Sequence, residues 1–279
     1  MISIKRVAAI QDLSGYGKCS LSIAIPVLSS MNIEVCPLPT AVLSTHTGFT
    51  GFNFLDLSDS MKKTIEHWKR LRVNFSCIYS GFLGSEKQID LVLNFIAFFG
   101  AKAIKLIDPV MGDNGRVYRT YTKSMCQSMK KLIAVADIIT PNLTEAAILL
   151  DENYPKEGIS EQQVNSWLRR LCENGPRYSV ITGVENGGYI YNYAYDKIIG
   201  SYFSNKTKKI TINLSGTGDL FASVLCGAVL NDFPLSVALE ISTNFVYSTI
   251  LNTLKSGSKI NDGLQFEHLL HILGANLIK

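Results

Sequence analysis

Asn213-Leu-Ser-Gly-Thr-Gly-Asp-Leu-Phe221 runs without a break into an apolar stretch that ends at Leu230. This order sets Gly216, Thr217, Gly218 and the carboxylate of Asp219 at the mouth of a helix. The first N–H groups of a helix have no internal partner, and the dipole there favours negative charge. Glycines let that backbone close around a phosphate or oxyanion. An acid in the same turn can take the proton from an attacking hydroxyl. An anion cradle beside a base is what phosphoryl transfer to an alcohol requires. The residues alone also fit an ordinary loop with Asp219 as a helix cap. The rest of the chain has to separate the two readings.

Outward from that point, short apolar runs alternate with longer helical patterns. Strands are expected at residues 7–10, 33–36, 76–79, 103–107, 136–139 and 179–181. Helices are expected near 20–31, 60–71, 88–99, 164–173, 220–230, 235–254 and 264–273, with another opening at Asn142. Two aromatic-rich runs, 188–194 and 198–203, predict an antiparallel hairpin. Strand-then-helix alternation implies right-handed crossovers and a mainly parallel sheet covered on both faces, an α/β/α sandwich. No repeat or linker interrupts it, so 1–279 is expected to be one domain.

In such a sheet, ligands collect beyond the carboxyl ends of the strands. The polar and glycine-rich segments fall there: 11–17, 80–85, 108–115, 140–145 and 182–188. Asp108-Pro-Val-Met-Gly112 puts an acid where magnesium binds directly or through water. Asn142-Leu-Thr-Glu145 after Thr140-Pro141 reads both as a capping box and as a pair that orients water on a metal. Ser44-Thr-His-Thr-Gly48 offers hydroxyls and the His46 imidazole to a small heteroaromatic ring. Asp12 and Ser14 add polar contacts, and Phe82 a flat apolar wall.

Composition excludes other classes. The 279 residues are 47% hydrophobic and 18% charged with a formal net charge of +4, enough for a large core and no nucleic-acid footprint. No run has the length of a membrane span, and the start of the chain lacks the pattern of a signal peptide. The six cysteines are scattered with no C-x-x-C pair, which fits buried thiols in a reducing cytoplasm. Gly15-Tyr-Gly-Lys-Cys19 is not a Walker A loop, because no Ser or Thr follows Lys18. His268 and His271 are three apart with no third ligand in view.

Taken together and in order, Ser44–Gly48, Ser80-Gly-Phe-Leu-Gly-Ser85, Asp108–Gly112, Thr140–Glu145 and Ser215–Asp219 resemble the ribokinase-like superfamily, in particular its vitamin B6 kinases. The resemblance covers nearly the whole chain. It implies a ribokinase-like three-layer α/β/α fold and ATP-dependent phosphorylation of the 5′-hydroxymethyl group of pyridoxal, pyridoxamine or pyridoxine. It makes Asp219 the base and Gly216, Thr217 and Gly218 the anion hole. Asp108, Thr140, Asn142, Glu145 and Thr182 fall on the ATP side, with Asp108 and Glu145 toward magnesium (Mg2+). Asp12, Ser14, His46, Thr47, Gly48 and Phe82 fall on the ring side. A homodimer is implied, and a monovalent cation is left open. The chain departs from the pattern at Asp12-Leu13, where B6 kinases carry Ser-His, and at Thr182, where some relatives carry Lys. An acid at position 12 is closer to the hydroxymethylpyrimidine kinases of thiamine synthesis, the alternative enzyme. A non-catalytic B6- or nucleotide-binding protein is the alternative of another class.

Overall fold

A computed structural model describes residues 4–275 apart from 174 and 213, so Asn213 of the opening motif lies outside the described residues. The first half of the chain runs β1 (Lys5–Ser14), α1 (Leu21–Ser30), β2 (Ile33–Leu43), β3 (Phe54–Asp56), α2 (Ser58–Leu71), β4 (Cys77–Ser80), α3 (Glu86–Phe99) and β5 (Ile104–Ile107). A small ribbon follows, β6 (Gly112–Asp113) and β7 (Arg116–Val117), then α4 (Lys123–Ala134), β8 (Ile138–Ile139), α5 (Leu143–Leu150) and α6 (Glu161–Glu173). The chain closes with β9 (Tyr178–Asn186), β10 (Tyr189–Asp196), β11 (Ser201–Lys208), α7 (Thr217–Leu230), α8 (Leu235–Lys255) and α9 (Leu270–Ala275).

Nine strands form one sheet in the order β11-β10-β9-β8-β5-β4-β1-β2-β3. The six from β9 to β2 are parallel, and both edges are finished by antiparallel strands. Successive side chains of a strand point to opposite faces, and the core obeys this. Val7 and Ala9, Cys77 and Tyr79, Leu106, Ile138 and Val180 pack with α1, α7, α8 and α9. Their neighbours Ala8 and Ile10, Ile78, Ile107, Ile139 and Ile181 pack with α2, α3, α4, α5 and α6. The expected three layers are therefore present. Because the parallel strands all point one way, their carboxyl ends share one rim. The order reverses at β1, which lies between β2 and β4, and that is the switch point where a crevice opens.

Several expected boundaries change. β1 continues to Ser14, so Asp12 and Ser14 lie on the strand rather than in the following turn. β2 runs past Pro37 and Pro39, which a strand tolerates where one side is unpaired; β3 pairs it only at Ala41–Leu43. The hairpin is present but shifted, with Ile198 and Ile199 exposed in its turn. The helix expected at 264–273 is not formed as drawn. Leu264 and Phe266 are both buried, which is the alternation of extended chain, and Asn252 and Thr253 bond the backbone of Gln265. Only a 3-10 turn (Glu267–Leu269) and α9 follow.

α7 is buried on almost every side, which explains its unbroken apolar sequence. It begins at Thr217, so Gly218 and Asp219 sit inside its first turn. Gly216 precedes it with φ 86°, and a Cβ there would lie 2.6 Å from the Lys18 carbonyl oxygen. Both the dihedral and the backbone approach demand glycine. Gly216→Ala is expected to lose about 2 kcal/mol or more, seen as a lowered denaturation midpoint in urea. An unchanged midpoint would show that the approach is not needed.

Candidate active site

The exits of β5 and β8 meet each other and the middle of β9 first. Asp108 leaves β5 buried, and Thr140, leaving β8, donates its hydroxyl to Asp108 Oδ1 at 3.0 Å. Asn142 caps α5: its Oδ1 accepts the Glu145 N–H at 3.0 Å, and Glu145 Oε2 accepts the Asn142 N–H at 2.8 Å. The capping box is therefore real. It also does more than cap. Asn142 Nδ2 donates to the Gly112 carbonyl at 2.8 Å, and the Met111 N–H donates to Glu145 Oε1 at 3.0 Å. The pair thus ties the loop after β5 to the start of α5. Thr182 lies in the middle of β9, which continues to Asn186, rather than past the strand's end as expected; it bridges to Asn142 and donates its N–H to the Pro141 carbonyl at 3.0 Å.

Asp219 faces this group from the mouth of α7, half-buried. Burial lifts its pKa from 3.8 to about 6; the Ser20 backbone N–H pulls it down, and the charge of Asp12 pushes it up. Asp108 is raised by burial and then by Asp219. Glu145 is raised well above its ordinary value by burial and then by Asp108. Asp12, Asp219, Asp108 and Glu145 thus form a row across the rim in which each carboxylate senses the next. Gly218 is exposed, and a Cβ there would meet nothing within 4 Å. Packing does not need that glycine, and the space above it is open.

Asp12 closes the other end of the row. It is buried, and it accepts the Ser20 hydroxyl at Oδ1 (2.5 Å) and the Ser14 hydroxyl at Oδ2 (2.9 Å). Burial raises its pKa, opposed by those two hydroxyls and by His46 nearby. His46 itself is turned inward. The Gly48 N–H donates to Nδ1 at 3.1 Å, so Nε2 carries the proton and faces the Asn261 carbonyl at 3.3 Å. A Cβ on Gly17 would lie 2.2 Å from the imidazole, and one on Gly48 would lie 2.7 Å from it. His46 therefore shapes the loop, while Thr47 and Gly48 are its exposed members. Phe82 leaves β4 nearly buried, against the core beneath α3.

Asp108 and Glu145 suit a hard divalent cation. They are oxygen donors, and burial and mutual repulsion leave their negative charge under-compensated. Two residues were not anticipated. Tyr118, just after β7, has its hydroxyl pKa raised by burial and then by the charges of Glu145, Asp113, Asp219 and Asp108, so it lies within electrostatic reach of the row. Ser20 touches both Asp12 and Asp219. Neither stands in a motif; only the ribbon's return to the Met111 carbonyl and the backbone turn before α1 bring them in.

Comparison with known proteins agrees with this geometry. A crystal structure from Bacteroides thetaiotaomicron, provisionally named a phosphomethylpyrimidine kinase and holding pyridoxal, is 42% identical, with 97% of this chain and 96% of that one covered and a TM-score of 0.93. Pyridoxal kinase from Lactobacillus plantarum is 28% identical, with 98% of both chains covered and a TM-score of 0.91. Pyridoxal kinase of Leifsonia xyli is 26% identical over 269 residues, 91% of each chain. The family model described as phosphomethylpyrimidine kinase matches residues 47–263. By this match over most of its length, the chain belongs to the phosphomethylpyrimidine kinase family.

Proposed function

We propose that the protein transfers the γ-phosphoryl group of ATP to the 5′-hydroxymethyl group of pyridoxal, pyridoxamine or pyridoxine. The observation that carries the reading is the half-buried carboxylate of Asp219 in the first turn of α7, beside the open space over Gly218. Relatives named pyridoxal kinase, and a neighbour that holds pyridoxal, supply the acceptor class.

In this reading the ring lies between Asp12, the exposed Thr47–Gly48 backbone and Phe82, with its hydroxymethyl group toward Asp219. Asp219 accepts the hydroxyl proton as the oxygen attacks phosphorus. The N–H groups at the start of α7 hold the charge that spreads over the transferring oxygens. Asp108, Thr140, Asn142, Glu145 and Thr182 lie toward the nucleotide phosphates. Asp108 and Glu145 would hold magnesium, which when bound neutralises phosphate charge. Tyr118 and the β6–β7 ribbon screen this end from water. The whole chain acts as one kinase domain. A homodimer and a cytoplasmic location complete the proposal. The exposed Phe54 and Leu55 on edge strand β3 offer an apolar contact for the dimer, and sedimentation at micromolar concentration tests it.

The second reading, phosphorylation of a hydroxymethylpyrimidine, is favoured by the carboxylate at Asp12 and by the family's own description. Both are nitrogen heteroaromatic rings that carry the CH2OH on a carbon one atom removed from a ring nitrogen, and the chemistry is the same. An ADP-release assay across the three B6 vitamers and hydroxymethylpyrimidine decides between them. Binding of any of these without ADP release would point to the non-catalytic alternative.

Four outcomes are expected. Asp219→Asn loses about 10²–10⁴-fold in kcat, the usual worth of general-base help. For the wild type, kcat/KM falls as pH drops through about 6, because the base becomes protonated. The same group gives an opposite signature in stability. A carboxyl raised from 3.8 to about 6 by folding binds its proton more tightly when native, so stability falls as pH rises between those values and stays lowered above them. Asp219→Asn should therefore melt higher than wild type at pH 8 and match it at pH 4. Gly218→Ala should keep the wild-type melting temperature and lose at least about tenfold in kcat by crowding the cradle; full activity would remove the cradle from the mechanism.

A further inference from the structure

Ser20 has a backbone that its side chain does not favour. Its dihedrals are φ 50° and ψ −125°, in the left-handed half of the map where glycine is the usual occupant. The position is anchored on every side. Ser20 bridges to Leu13, and its carbonyl accepts the N–H groups of Ile23 and Ala24 to start α1. Its side chain makes no capping bond to that helix. The hydroxyl is instead spent on Asp12 Oδ1 at 2.5 Å, while Ser14 takes Oδ2. Its backbone also lies close enough to Asp219 to lower that carboxyl's pKa.

A glycine here would keep the backbone in place and give the same start to α1 at no conformational cost. Only the bond to Asp12 requires a side chain. We propose that Ser20 is a positioning residue: its hydroxyl aims the Asp12 carboxylate at the acceptor ring, and its strained backbone is kept for that purpose. The proposal rests on the acceptor reading above. Burial raises the Asp12 pKa, and the two hydroxyl donors oppose that rise. Oriented by them, Asp12 faces a ring N–H or ring hydroxyl and fixes how the CH2OH meets Asp219.

The test compares Ser20→Gly, Ser20→Ala, Asp12→Asn and the double variant Ser20→Gly/Asp12→Asn, with pyridoxal and ATP as substrates. Ser20→Gly should melt no lower than wild type, and Ser20→Ala, which keeps the strained backbone, should melt about 2–4 °C below Ser20→Gly. Both should raise KM for pyridoxal about 5–20-fold, the worth of one charge-assisted hydrogen bond, and leave KM for ATP within about twofold. In the Asp12→Asn background, Ser20→Gly should change KM for pyridoxal less than about twofold, since the hydroxyl acts through that carboxylate. An unchanged KM in Ser20→Gly, equal effects on both substrates, or effects that simply multiply in the double variant would each overturn the proposal. A Ser20→Gly chain that fails to fold would also overturn it, because glycine would then not suit the backbone. Absence of pyridoxal turnover in the wild type would instead sink the acceptor reading, which keeps the two failures apart.

Discussion

The contact on which the site depends is the approach of the α7 N-terminus to the backbone around Lys18. No side chain fits between them at Gly216. That closeness sets the Asp219 carboxylate near the Ser20 backbone and within electrostatic reach of Asp12, which the Ser20 hydroxyl holds. It also fixes which way the free N–H groups of α7 point. The helix is buried along its length against α1 and α8, so its first turn cannot swing to relieve the crowding. A stiff apolar rod therefore carries a reactive polar tip to the switch point of the sheet, and the tip's position is a consequence of packing well below it.

The price of this arrangement is electrostatic. Four carboxylates along one rim repel each other and lose solvent, and their pKa values rise as a result. The protein answers differently at each end. Asp12 is held by two hydroxyls, and Glu145 by backbone N–H groups from two loops. Asp108 has the Thr140 hydroxyl. Asp219 receives a backbone N–H and otherwise stands near its titration range, where a general base works best. Burial and neighbouring carboxylates raise Asp108 and Glu145 strongly, and in the proposed reading a divalent cation would relieve both.

The layers and the rim were legible in the sequence because they follow from period. Strand residues alternate between two cores, and helical runs between them force parallel crossovers. The polar strand tips could be placed for the same reason, except that Thr182 lies inside β9, which continues to Asn186. What the pattern could not show was contact across the rim. Ser20 lies in no motif, and its conformation is visible only once β1 and α1 are fixed. Tyr118 arrives on a two-stranded ribbon too short to leave a periodic signal. The helix expected at 264–273 failed because two apolar residues two apart, Leu264 and Phe266, satisfy an extended segment as well as a helix. His46 was legible as a member of the ring loop, but its inward turn depends on two glycines and the Asn261 carbonyl, far away in sequence.

The motif Asn142-Leu-Thr-Glu145 shows why a structural and a functional reading need not compete. Each Glu145 oxygen accepts one backbone N–H, yet an ionised carboxylate has about four lone-pair sites. Two therefore remain for water on a cation. The capping bonds determine where those two point, because they pin the carboxylate from α5 and from the Met111 loop at once. A free glutamate at the same place would have to be ordered when the nucleotide arrives, at a cost in side-chain entropy. Here folding has already ordered it. The cap is thus how a flexible side chain becomes a fixed one, and a sequence signature of helix starts doubles as the mark of a preorganised site.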